Sequence, residues 1–152
     1  MILLWIVSLV WLLSLNLTSI SIFLIVLAIL ARTFFQTGLF ITTHEAIHQN
    51  ICRNNKINCG IGQITSFLYA LLPYQVLAKN HQLHHKYPAT EKDPDFNSLG
   101  SNNFWFWYKS FMQKYQQGKQ AWILLFGMTI IFWSLVLLHI SILNIFLFWV
   151  MP

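Results

Sequence analysis

The chain has 152 residues, 57% of them apolar and 9% charged, with a formal net charge of +5. So little charge excludes an ordinary water-soluble domain and points to a protein of the lipid bilayer. Nucleic-acid binding is excluded by the placement of the cations: eight of the nine Lys and Arg fall between Arg53 and Lys119, in a block flanked by apolar segments, as in a cytoplasmic loop region under the positive-inside rule.

Met1 to Leu15 is the first expected element, an apolar helix of about 22 Å that barely spans a hydrocarbon core of about 30 Å. Lacking a basic start and a small-residue cleavage site, it reads as a membrane helix and not as a cleaved signal peptide, with room for a missing beginning. Asn16 to Ser19 supplies a polar turn, and Ile20 to Thr43 follows as a second span of about 36 Å. This span delivers His44 and His48 to its far, cytoplasmic end. Arg32 lies near its middle, where a lipid-facing charge costs at least about 2.5 kcal/mol, so it is expected to face the bundle interior or to snorkel, in a structural role.

Residues 51–60, ICRNNKINCG, form a polar connector. Its Cys52 and Cys59 are separated by six residues, make no C-x-x-C pair and read as free, reduced thiols. Ile61 to Leu72 is apolar for 12 residues before Pro73, too short to cross, and reads as a re-entrant or interfacial helix. A further helical stretch from Tyr74 to about Tyr87 carries His81, His84 and His85, and the turn-rich PATEKDPDFNSLG follows it. From Asn102 to Gln120, Phe104, Tyr108, Phe111 and Tyr115 share one helical face while Lys109, Gln113 and Gln116 share another, which predicts a helix in the interface plane. Ala121 to His139 is long enough to span, and Ile140 to Met151 begins another apolar segment that stops at Pro152, in mid-membrane. The expected fold class is all-α: an integral membrane helical bundle with interfacial helices and with histidine boxes at cytoplasmic helix ends.

Five of the six His fall in two boxes, His44-Glu45-Ala46-Ile47-His48 and His81-Gln82-Leu83-His84-His85. Residues three and four apart on a helix share a face, so each box makes a cluster of imidazoles. Imidazoles without thiolates suit iron, copper, zinc or nickel. The first box also fits the H-E-x-x-H pattern of zinc metalloproteases, with Glu45 as the base that activates water. That chemistry needs two His of the box and one further ligand, leaving at least two imidazoles of the second box without a role. A two-metal centre uses all five and asks for more. Glu45 then reads as a polar residue at the helix end, behind the ligands.

The stretches TGLFITTHEAIHQN and LLPYQVLAKNHQLHHKYPATEKDPDF, with the spacing between them, resemble the membrane β-carotene ketolases of the fatty acid desaturase and hydroxylase superfamily, over nearly the whole chain. The H-x-x-x-H and H-x-x-H-H boxes indicate the superfamily; the Asp-Pro-Asp-Phe tail just past the second box indicates the ketolase branch. The resemblance implies one incomplete desaturase-like membrane domain over residues 1–152, with a pair of irons bound by His44, His48, His81, His84 and His85. Asp93 and Asp95 would orient ligand imidazoles from behind or line the site, or else serve as a turn and helix cap. The implied reaction is an O2-dependent oxidation of the ring carbon next to the polyene of a carotenoid. Electrons would come from a cytoplasmic donor such as a ferredoxin, since the chain has no flavin or nicotinamide fingerprint. Three other readings stay open: a desaturase acting on acyl chains, an H-E-x-x-H membrane metalloprotease, and a non-catalytic membrane fragment that binds carotenoid or another subunit. Family members carry a third H-x-x-H-H box, which this sequence lacks. His139 cannot replace it, lying about 30 Å of helix beyond Lys119, and the expectation is a truncated or split gene product that is not competent alone.

Overall fold

The computed structural model describes residues 1–96, 103–115 and 118–152, and every regular element among them is helical. Helix α1 (Ile2–Leu13) ends where the Ser14 hydroxyl turns back to the Trp11 carbonyl, and the Asn16 side chain opens a 3₁₀ turn over Leu17–Ser19. Ser21 caps α2 (Ile22–Ile47), its hydroxyl accepting from the Leu24 N–H. At 26 residues α2 is about 39 Å long. It runs past the expected end at Thr43, so His44 lies in its last turn and His48 terminates it, followed by Gln49 at φ 61°.

Asn54 moves the start of α3 (Asn55–Ala70) six residues ahead of the expected Ile61, into the stretch read as a polar connector. Its side chain accepts from the Lys56 and Ile57 N–H groups, and the buried Asn58 amide donates to the Cys52 carbonyl at 2.7 Å. Those asparagines are a helix cap and its lock. α3 packs along α2, where the buried Thr43 and Thr65 hydroxyls meet at 2.8 Å. Leu71 ends α3 in the left-handed conformation, and after Pro73 helix α4 (Tyr74–Lys86) leaves at 102°. The expected short re-entrant helix is therefore the apolar arm of a bent pair. α4, with Lys79, Lys86 and three His, is its polar arm.

Helix α5 (Phe104–Tyr115) brings Tyr115 into a small core with Leu72 and Leu77, against Ile47. The faces expected for this segment rest largely on the side chains of Phe104, Tyr108 and Phe111 and on Asn102 and Gln116, which lie outside what the structure describes. Tyr115 departs from the expected lipid-facing stripe, being 5% exposed.

Among the described residues, α2 and α6 (Lys119–Leu137) are the two single helices long and apolar enough to cross a membrane, and the bent pair of α3 and α4 passes the same test only when taken together. The outer surfaces of α2 and α6 leave Phe23 72% and Leu137 77% exposed, which suits hydrocarbon and not water. His139 follows α6 at φ 60°, exposed and outside both groups of possible ligand residues. The last apolar segment forms α7 (Ile142–Ile145) running into a π-helical turn over Phe146–Val150. It packs back on α1: the Asn144 amide donates to the carbonyls of Leu12, Leu13 and Leu15, groups that the end of a helix leaves without helical partners. Arg32 takes the inward of its two expected positions and is 1% exposed. It donates to the carbonyls of Phe148 and Trp5 and to the Ser8 hydroxyl at 3.0–3.1 Å, with its guanidinium 5.0 Å from the Trp5 ring.

Candidate metal centre

The 3.6-residue period puts His44 above His48 at the end of α2 and His81 above His85 on α4. The bend after α3 brings the two pairs together. Ring centroids are 4.6 Å apart for His44 and His81, 4.9 Å for His48 and His85, and 4.5 Å for His81 and His85. His81 is central, its Nε2 lying 2.8 Å from Nε2 of His48 and 3.0 Å from Nε2 of His85. One ring nitrogen from each of these four residues lies within 4.8 Å of all the others. A metal–imidazole bond of about 2.1 Å allows two nitrogens on one metal to be at most about 4.2 Å apart. The donor atoms are therefore close enough together to converge on a single ion. Burial and then the neighbouring imidazoles push His81 down to about 4, which leaves it neutral with a lone pair to offer at ordinary pH.

Glu45 stands behind this cluster. One of its carboxylate oxygens is 3.1 Å from His44 Nδ1, and the other accepts from the Asn50 amide at 2.9 Å. That is the position of a group that fixes a ring, leaving His44 Nε2 as the atom available to a metal.

His84 does not join the four. Its ring is 5.7 Å from that of His85, but its Nδ1 lies 2.9 Å from Asp93 Oδ2. Asp93, 5% exposed, also accepts from the Ala89 N–H at 3.0 Å and, two residues on, from the Asp95 N–H at 2.9 Å. The second of these is the Asx turn that an Asp before Pro favours. Burial by itself raises the Asp93 pKa, but hydrogen bonds from Asp95, Ala89 and His84 outweigh it and hold the carboxyl below its ordinary value. Asp95 faces another way: its Oδ1 accepts from the Tyr115 hydroxyl at 3.2 Å. His84, Asp93 and Asp95 thus form a second cluster of possible ligand atoms.

Between the clusters lies a cavity of about 80 Å³. Its wall includes the imidazoles of His44 and His81, the apolar side chains of Phe40, Ile47 and Leu77, and the pair Asp95 and Tyr115. Tyr115 is the residue that the sequence reading left out of the site. It lies 20 positions from Asp95 on a helix whose period reads only as an aromatic face, so no local spacing joins the two. Burial foremost, opposed by a hydrogen bond with Asn80 and helped by the Asp95 charge, pushes its phenol up to about 12. It therefore stays a hydrogen-bond donor.

Apolar helices long enough to cross a bilayer, with four imidazoles gathered where two helices meet, define a helical membrane protein able to hold a metal ion at that place. The chain belongs to the fatty acid desaturase family, whose Fatty acid desaturase model matches residues 20–152. Among its relatives, the zeaxanthin 4-ketolase of Chlamydomonas reinhardtii is 40% identical over 114 residues, 74% of this chain and 26% of that protein. Beta-carotene 4-ketolase 3 of Haematococcus lacustris is 41% identical over 95 residues, 59% of this chain and 29% of that one. A beta-carotene ketolase of Paracoccus sp. (strain PC1) is 36% identical over 93 residues, 60% and 37% of the two chains. The chain thus spans between about a quarter and about two fifths of the relatives it matches. No solved structure matches it. The ketolase resemblance read from the histidine boxes and the Asp-Pro-Asp-Phe tail is borne out by these relatives.

Proposed function

We propose that the chain functions in a membrane oxygenase of the β-carotene ketolase type, which oxidises the ring carbon next to the polyene of a carotenoid. The meeting of His44, His48, His81 and His85 beside a cavity with apolar walls carries this reading. These four would hold one iron, and His84, backed by Asp93, would hold a second. When bound, the irons supply the activation of O2 that no side chain can provide. The protein's own groups do the rest. Glu45 and Asp93 hold the Nδ1 sides of His44 and His84, which fixes ring orientation and tautomer. Phe40, Ile47 and Leu77 give the cavity beside the imidazoles its apolar walls.

Two turnovers complete the reaction, each consuming one O2, two electrons and two protons, placing one hydroxyl on the same carbon and releasing one water. Loss of a further water from the resulting diol leaves the ketone. The electrons come from a cytoplasmic donor such as a ferredoxin. Eight of nine cations between Arg53 and Lys119 support a cytoplasmic position for both boxes. The same ligands would serve a desaturase of acyl chains; the ketolase relatives favour the carotenoid. The hydrolytic reading of His44-Glu45-Ala46-Ile47-His48 draws no support from Glu45, which is tied to Asn50 and to the ring it adjoins.

The test is expression in carotenoid-accumulating cells, with the C-terminal part of a matched ketolase supplied as a second chain. Ketocarotenoid is expected from the pair and not from the pair carrying His48→Ala. Product that persists with His48→Ala would contradict the reading.

A further inference from the structure

Leu71 stands where a helix end commonly has glycine. It closes α3 at φ 52° and ψ 31°, a left-handed conformation that crowds a side chain and that Gly or Asn adopts at less cost. The side chain kept at this position is 7% exposed and fills a notch in α6, since a Cβ on Gly127 would lie 2.6 Å from Leu71 Cδ1. Gln120, seven residues before Gly127 and therefore on the same face of α6, donates from Nε2 to the Leu71 carbonyl. Leu124 and Met128 share that half-buried face, while Leu125, Phe126 and Ile130 are exposed. α6 thus holds Leu71 by its backbone and by its side chain.

What is held is the corner that aims α4, which leaves α3 at 102°. His81 lies seven residues beyond Tyr74, about 10 Å along the helix, so a change of about 10° in the bend carries it by about 2 Å. His85 moves with it, but His44 and His48 belong to α2 and stay behind. Metal–ligand distances tolerate only about 0.2 Å, so the set of four opens or closes with the bend.

We propose that α6, which carries none of the imidazoles, sets the spacing of the metal centre by holding Leu71, with Gln120 and Gly127 as its positioning residues. This rests on the metal-binding reading above. It accounts for the leucine: glycine would relieve the backbone and leave the notch empty.

The test is Co(II) binding to the chain in lipid nanodiscs, read by its absorption bands. Beside it, a distance is measured without metal between nitroxides placed at the exposed Ile41 on α2 and Lys79 on α4, with Cys52 and Cys59 replaced by Ser. Gly127→Leu fills the notch and should weaken Co(II) binding by about 3- to 30-fold and shift the nitroxide distance. Gln120→Leu should do the same, and Thr129→Leu, on the exposed face of α6, should do neither. Adding Leu71→Ala to Gly127→Leu restores the volume and should recover both readouts, which general damage to the bundle would not allow. If Gly127→Leu fails to insert, Leu71→Gly decides, because it weakens Co(II) binding and broadens the distance only where the side chain holds the corner. Unchanged affinity and distance in Gly127→Leu and Gln120→Leu, no recovery in the double variant, or a harmless Leu71→Gly would overturn the proposal. A shifted distance in a chain that binds no Co(II) refutes the metal reading alone, and Co(II) binding with an unshifted distance refutes this one alone.

Discussion

Asp93 and Asp95 are two residues apart and serve different neighbours. Asp93 is buried and accepts from two backbone N–H groups while holding His84; Asp95 turns to Tyr115 and the cavity. Because hydrogen bonds hold the Asp93 carboxyl below its unfolded value, its contribution to the loop is complete above the ordinary carboxylate range and is lost as pH falls through the lower folded value. Hydrogen exchange at the Ala89 and Asp95 amides should therefore stay slow at pH 5 and accelerate only below about pH 4. In Asp93→Asn that acid transition should disappear, and a transition kept in the variant would assign it elsewhere. The same variant should weaken metal binding at His84 by about 10- to 100-fold, measured by competition with a chelator. The sequence made the imidazole pairs legible, because helical period alone joins His44 to His48 and His81 to His85. It could not divide the labour of Asp93 and Asp95 or find Tyr115, since those roles depend on which way a turn faces and on a helix 20 residues away.

At the scale of elements, the site depends on the corner between α3 and α4. A Cβ on Gly62 would lie 2.1 Å from the Tyr74 ring, whereas one on Gly60 of the same helix would meet nothing within 4 Å. Gly62→Ala should push α4 away at a cost of about 1–3 kcal/mol and weaken iron binding without touching a ligand. Gly60→Ala should leave iron binding unchanged and stabilise α3 by about 0.5–1 kcal/mol. Equal iron affinity in both variants would show that the corner does not set the site. The second joint is Arg32, which ties the last segment to α1 and α2 through Phe148, Trp5 and Ser8. Arg32→Leu leaves the Phe148 carbonyl without its donor and should cost about 1–3 kcal/mol, read as a lower unfolding midpoint in micelles. An unchanged midpoint would remove Arg32 from the account of stability. Both spans were legible from apolar length. The early start of α3 was not, because Asn54 and Asn58 read as loop residues until their side chains are seen capping a helix.

For the whole molecule, α2 leads into the block that holds both boxes and α6 leads out of it, and the cations of that block support the proposed cytoplasmic position. Cys52 and Cys59 lie within it as free thiols. They should resist a membrane-impermeant thiol reagent applied to intact cells and react once the cells are opened; labelling from outside would invert the topology. Chain-wide charge patterning supports this orientation, while the gathering of the imidazoles required the bend at Leu71 to Pro73, which hydropathy shows only as the end of an apolar run. The central claim is that the two boxes together bind iron. Anaerobic titration of the reconstituted chain with Fe(II), read by bound metal and by X-ray absorption, tests it most directly. Imidazole-coordinated iron in two affinity classes is predicted, the tighter one abolished in the double variant His48→Ala, His81→Ala and the weaker one loosened by about 10- to 100-fold in Asp93→Asn. A chain that takes up no iron, or a double variant that binds as much as the unsubstituted protein, would contradict it.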